Sequence, residues 1–285
     1  MPAMSERIER LFARCRGENR AGFIPYICAG DPNFARTVEI ALALERNGAD
    51  LLELGLPFSD PLADGIVNQL AAQRALENGA TVHGVLDCVR EIRRASDIPI
   101  VLYTYLNPIF RFGIDNFYKA AADAGIDGLL ILDLPPEEDA SVQKPGDSMN
   151  TASIVLIRLI APTTPPDRIA LIAKAARGFI YYVSREGVTG ARDSVAQAFE
   201  EKLALIRQHT DLPVAVGFGI SNPEQAATVA RVADAVVVGS AIVDLIGKVG
   251  DADVLADRVA KFVTPIVSAI SSSRDQGAAV SKPPT

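Results

Sequence analysis

The sequence predicts a single (β/α)8 barrel with an extra N-terminal helix, and three observations predict it. The chain has 285 residues, 49% of them hydrophobic and 22% charged, enough to bury one large core at the size, roughly 250 residues, where barrels commonly form one domain. Eight short apolar runs rich in Val, Ile and Leu recur along it with little polar alternation, as parallel strands covered on both faces require. Between most of them lie stretches with helical apolar spacing. Eight such units in about 240 residues close a barrel, whereas a doubly wound open sheet, the alternative, usually has fewer strands.

In chain order, the start Met1-Pro-Ala-Met-Ser-Glu-Arg-Ile-Glu-Arg-Leu-Phe12 is a mixed-charge amphipathic segment rather than a signal peptide, and supplies the extra helix. Strands are expected over 22–29, 50–55, 98–103, 128–133, 154–160, 179–184, 213–217 and 235–239. Helices are expected over 33–47, 115–124, 166–176, 194–209 and 223–232, several opening on Asp, Asn, Ser or Pro start signals. The run Pro135-Pro-Glu-Glu-Asp139 reads as a helix start, but Pro145-Gly146 cuts it short, so the fourth helix is irregular. The barrel is expected to occupy 1–270. The small polar stretch 271–285, ending Lys-Pro-Pro-Thr, is expected to be disordered.

Composition narrows the function. A net charge of −7 and a pI near 5.0 argue against nucleic acid or an anionic membrane as partner. Cys15, Cys28 and Cys88 lack metal-like spacing and fit a reduced cytoplasmic setting. No uncharged apolar run approaches the ~18 residues that a membrane span needs. His83 and His209, the two histidines, sit in or beside helical segments, so no metal cluster is expected; no lysine falls on a strand to form a Schiff base. Acid–base work by carboxylates remains.

The carboxylates stand in Leu51-Leu-Glu-Leu-Gly-Leu-Pro-Phe-Ser-Asp-Pro-Leu-Ala-Asp-Gly65, a strand running into a loop. By the two-residue period Leu51 and Glu53 share one face, Leu52 and Leu54 the other. A carboxylate buried there without partners costs several kcal/mol, so it needs a structural or a chemical reason. Asp60-Pro61 and Asp64-Gly65 are turn formers that hold two more carboxylates beyond the strand's C-terminal end, where parallel α/β folds place their chemistry. Glycines recur at the same end. Val216-Gly-Phe-Gly-Ile-Ser221 closes the seventh strand and Val238-Gly-Ser240 the eighth, a recurring phosphate site in barrels. A third glycine loop, Ser184-Arg-Glu-Gly-Val-Thr-Gly-Ala-Arg192, has the composition of a mobile lid.

These motifs, together with Asn107-Pro-Ile-Phe110 and Gly239-Ser-Ala-Ile-Val243, resemble in order and spacing those of the tryptophan synthase α chain family, over roughly residues 5 to 270. The resemblance implies a lyase that splits indole-3-glycerol phosphate into indole and glyceraldehyde 3-phosphate. It implies that Glu53 is the catalytic acid/base and Asp64 the carboxylate that holds the indole N–H. Tyr26, Tyr105, Tyr181, Thr189 and Phe218 match substrate-pocket positions, and Gly190, Gly219, Gly239 and Ser240 match backbone phosphate contacts. Pro57, Asp60, Asn107, Phe110, Asp133 and Pro135 match a docking face for a pyridoxal-phosphate β chain, with an α2β2 assembly implied and no cofactor in this chain. The sequence departs from the family's pattern in three places: Ile66 stands where proline is usual, Tyr103 and Leu106 alter strand three, and the Pro145-Gly146 stretch replaces a regular fourth helix. A stand-alone lyase working without a partner, another phosphosugar barrel and a non-catalytic binding barrel stay open as alternatives.

Overall fold

The computed structural model describes residues 5–138, 154–183, 192–217 and 219–274, with backbone alone for 192–198. Eight parallel strands, β1 (Gly22–Cys28), β2 (Leu52–Gly55), β3 (Ile100–Thr104), β4 (Gly128–Ile131), β5 (Val155–Ile160), β6 (Ile180–Val183), β7 (Val214–Gly217) and β8 (Ala235–Val238), pair in sequence order and close when β1 meets β8 at Gly22↔Ala235 through Pro25↔Val238. Each lies within one of the runs expected from sequence, apart from β3, which starts later and gains Thr104. Every residue of β1, β2, β4, β7 and β8 is buried, which accounts for runs without polar alternation. Alternate residues sort into two cores. Ile24, Leu51, Val101, Leu130, Ile157, Ala215 and Val237 fill the barrel interior, while Leu52, Leu54, Leu102, Leu129, Val216 and Val236 pack outward against the helices.

The extra N-terminal helix is present. α1 (Glu6–Gly17) closes the N-terminal end of the barrel with Ile8, Leu11, Phe12 and Cys15 in the interior core. Eleven α-helices occur among the described residues. α2 (Phe34–Arg46) is capped by the Asn33 side chain; α3 (Ile66–Glu77) and α4 (Val82–Arg93), the latter capped by Thr81, both lie between β2 and β3. α5 (Leu106–Phe112) and α6 (Ile114–Ala124) follow β3, and a 3-10 turn over Pro136–Glu138 follows β4. α7 (Pro166–Ala175), α8 (Arg192–Arg207) and α9 (Pro223–Ala230), capped by Asn222, separate the later strands; α10 (Ser240–Val249) and α11 (Leu255–Ser272) end the fold. α11 overruns the boundary expected at 271. Ser273 is buried and the Arg274 guanidinium donates to the Ala230 and Ala233 carbonyls, anchoring the chain to the end of α9. The Pro145-Gly146 interruption and residues 275–285 lie outside the described residues.

The N-terminal end of the barrel is held by aspartates placed just before three strands. Asp50, before β2, accepts from Arg14, Arg20 and the Phe23 amide of β1. Asp127, before β4, accepts from Ser5, Arg7, Arg93 and the Ile100 amide of β3. Asp234, before β8, accepts from Arg207 and the Val214 amide of β7. Each satisfies an amide at the start of a neighbouring strand, the first of β3 and β7 and the second of β1, and leaves the opposite end to the loops.

Candidate active site

Glu53 lies near the C-terminal end of the interior, in register with Tyr26 on β1 and Val101 on β3. It is 2% exposed, and neither carboxylate oxygen has a hydrogen-bond partner among the described residues. Burial disfavours the charged form, and the nearby Asp64 carboxylate adds repulsion; together they push Glu53 up to about 8. The hydroxyl of Tyr181 pulls it down, by a weaker attraction short of a well-formed bond. Two glycines make room for the neighbouring phenols. A side chain at Gly55 would collide with the Tyr26 hydroxyl, and a Cβ at Gly217 would fall 2.6 Å from the Tyr181 hydroxyl.

Asp64 belongs to the loop between β2 and α3. Turn bonds from the Leu62 amide to the Asp60 carbonyl and from the Asp64 amide to the Pro61 carbonyl fold that loop back over the barrel. The Tyr105 hydroxyl accepts from the Ala63 amide at 2.9 Å and donates to Asp64 Oδ2 at 2.8 Å, while its ring lies 5.3 Å from that of Phe58. The Tyr103 hydroxyl donates to Asp64 Oδ1 at 2.8 Å, and its ring meets Tyr26 edge-on at 5.1 Å. Sequence reasoning treated Tyr103 as a departure in wording and missed this contact. Its signal was the two-residue step from Tyr103 to Tyr105, which puts both side chains on one face of the chain.

Phosphate-sized chemistry is available at the end of β8. Gly239 precedes α10, so that helix has no capping side chain. The Ile242 and Val243 amides turn back to the Gly239 carbonyl, and no described residue accepts from the amides of Ser240 and Ala241, which leaves two donors at the positive end of a helix dipole. A Cβ at Gly239 would lie 3.2 Å from that of Tyr26, so this helix end abuts the same pocket. Gly219 is exposed with φ +54°, a left-handed conformation that suits glycine. Thr189, Gly190, Phe218 and the glycine loop after β6 lie outside the described residues.

Of the expected docking residues, Asp60, Asn107, Phe110, Asp133 and Pro135 are exposed at this end of the barrel, whereas Pro57 is buried against its own chain. Asp133 also accepts from the Leu106 amide at 2.7 Å and so caps α5. Leu62 (91% exposed), Ile66 (65%), Leu70 (46%) and Phe110 (66%) leave large apolar side chains in water there. A cavity of about 810 Å3 opens at the opposite end, among Arg7, Arg14, Arg20 and Asp50. Those charges already neutralise one another or Asp127, and the cavity holds none of the site residues.

Residues 12–270 match the tryptophan synthase alpha chain family. A tryptophan synthase alpha chain of Opitutus terrae is 57% identical over 240 residues, 84% of this chain and 89% of the relative. One from Caulobacter vibrioides is 45% identical over 271 residues, 94% and 98% of the two chains. The crystal structure of tryptophan synthase subunit alpha from Legionella pneumophila superposes with a TM-score of 0.83 at 36% identity, covering 95% of this chain and all of that one (100%). A Mycobacterium tuberculosis tryptophan synthase structure gives 0.82 at 34% identity, with 94% and 99% covered.

Proposed function

The chain belongs to the tryptophan synthase alpha chain family, and on that footing we propose that Glu53 and Asp64 are the carboxylates through which it cleaves indole-3-glycerol phosphate into indole and glyceraldehyde 3-phosphate. The observation that carries the assignment is a buried Glu53, without a hydrogen-bond partner among the described residues and pushed up to about 8, beside a second carboxylate held by phenols. Two carboxylates in unlike surroundings divide the labour. Protonated Glu53 delivers its proton to indole C3, and positive charge spreads to the ring nitrogen. The bond from C3 to the glycerol carbon then breaks, its electron pair restoring the aromatic ring. As the aldehyde forms, the hydroxyl proton passes to the Glu53 carboxylate, which ends as it began. Asp64 accepts from the ring N–H and opposes its growing charge.

The pocket is completed by Tyr26, Tyr105 and Tyr181, with Thr189 and Phe218 assigned from the motif. Backbone amides at Gly190, Gly219, Gly239 and Ser240 take the phosphate. Alpha chains of this family pair with a beta chain. Asp60, Asn107, Phe110, Asp133 and Pro135 form the docking face in an α2β2 assembly, with Pro57 shaping it from beneath, and pyridoxal phosphate resides in the beta chain. The apolar side chains exposed beside Asp60 and at Phe110 favour a partner-bound enzyme over a stand-alone lyase.

Turnover of indole-3-glycerol phosphate by the purified chain, with and without a beta chain, tests this reading. A weak basal rate that rises on pairing is expected, with Glu53→Gln slower by 10²–10⁴-fold in both states. Asp64→Asn should lose kcat more than it raises KM, because its charge matters as the ring becomes cationic. A folded Glu53→Gln chain with near-normal turnover would falsify the assignment.

A further inference from the structure

We propose that Tyr103 is a positioning residue for the lyase reaction: with Tyr105 it engages both oxygens of Asp64 and fixes the direction in which that carboxylate meets the ring nitrogen. The proposal rests on Asp64 being the group that receives the indole N–H.

Asp64 sits on a loop whose neighbour Leu62 is 91% exposed, so the segment has little core packing to hold it. Its carboxylate is instead tied to the barrel wall. Tyr103, on β3, donates to Oδ1, and Tyr105, two residues on, donates to Oδ2, each at 2.8 Å. Side chains two apart on an extended chain point the same way and stand about 6–7 Å apart at their bases, a span the carboxylate bridges by offering one oxygen to each. The two bonds remove both the swing of the loop and the rotation of the carboxylate about its own axis.

The phenols suit that task because they stay neutral donors. Burial and the Asp64 charge hold Tyr103 well above its ordinary pKa, and Tyr105 is shifted in the same direction by the same causes. Each carboxylate oxygen has two lone pairs, so a phenol on each still leaves acceptors for the indole N–H.

Tyr103 is itself immobilised. Its ring packs edge-on against Tyr26 at 5.1 Å, and Tyr26 is in register with Glu53. Gly55, opposite Tyr103 across the β2–β3 ladder, leaves the space that the Tyr26 hydroxyl occupies. A continuous line of contacts therefore runs from the strand that carries Glu53 to the loop that carries Asp64, and Tyr103 is the link that crosses it. Misplacing a reacting group by even about 1 Å can cost on the order of a hundredfold in rate, so a link that sets this distance bears on kcat rather than on affinity.

The test is a double-mutant cycle with the α2β2 enzyme. Tyr103→Phe removes one oxygen and keeps the ring contact, and is expected to lower kcat on the order of tenfold with KM within about twofold. In the Asp64→Asn background the same substitution should change kcat by less than about twofold, since the charge it aims is gone. An unchanged kcat for Tyr103→Phe, a rise in KM alone, or an undiminished tenfold loss in the Asn background would each overturn the proposal while leaving the role of Asp64 standing. A wild-type kcat for Asp64→Asn would instead overturn the reading of Asp64, and the proposal with it.

Discussion

Glu53 makes the site a burden on the fold, and the sign of that burden depends on pH. Its carboxyl titrates near 8 in the folded chain and near 4.3 in an unfolded one. Between those values the native state holds a proton that the unfolded state has released, so stability is greatest at the acid end and falls as pH rises through the window. One pKa unit corresponds to about 1.4 kcal/mol, so the total is several kcal/mol. Glu53→Gln, neutral at every pH, is expected to lack this slope. Urea midpoints for both chains at pH 5 and pH 8.5 should be similar at the lower value and favour the variant at the higher. A constant offset between them would mean that Glu53 titrates normally. With Glu53 as the proposed acid, the same proton predicts that kcat/KM declines above about pH 8. The position and identity of Glu53 were readable from the strand period, since the motif puts it opposite Leu52 and Leu54. Its lack of a hydrogen-bond partner among the described residues was not, because that depends on β1, β3 and β6 converging from distant parts of the chain.

At the scale of elements, strands were the most legible. Runs such as Val214-Ala-Val-Gly217 and Ala235-Val-Val-Val238 are buried on both faces, so composition alone marks them. Neither helix between β2 and β3 was called: the low contrast between faces of α3, where Ala71, Ala72 and Ala75 are the buried residues, leaves a weak period, whereas α4 buries a clear apolar face of Val85, Leu86, Val89 and Ile92 that was legible. α5 was hidden by Pro108 near its start and α11 runs through Pro265, each a residue that normally argues for a break. At the site, glycine motifs located the ends of β7 and β8, whereas the Tyr103–Asp64 bond depended on how a loop folds back, and the spacing of Tyr103 and Tyr105 gave only their shared face, not the partner. The uncapped start of α10 carries its own prediction. Ser240→Asp puts a carboxylate where the phosphate is expected to sit; the helix dipole tolerates it, so the chain should fold. KM for indole-3-glycerol phosphate should rise by tenfold or more, and glycerol phosphate should weaken as an inhibitor by a similar factor. Unaltered KM and inhibition would place the phosphate elsewhere.

Across the whole molecule, chemistry and stability occupy opposite ends. Asp127 joins α1, α4, β3 and β4 through Ser5, Arg7, Arg93 and the Ile100 amide, and none of these partners is a proposed site residue. Asp127→Ala strands a largely buried Arg93 and a strand amide, a loss on the order of 3–5 kcal/mol. A lower Tm with near-normal kcat in the cold is the expected result; a loss of kcat without one would tie this end of the barrel to catalysis. The other end bears Leu62, Ile66, Leu70 and Phe110 uncovered, which has a consequence for how the chain is best produced. A copy made in excess of its partner carries that apolar surface into solution, where like meets like. Yield then becomes a question of stoichiometry: expressed alone and concentrated, the chain should form reversible oligomers visible by sedimentation, and one equivalent of beta chain, or Phe110→Ser, should dissolve them.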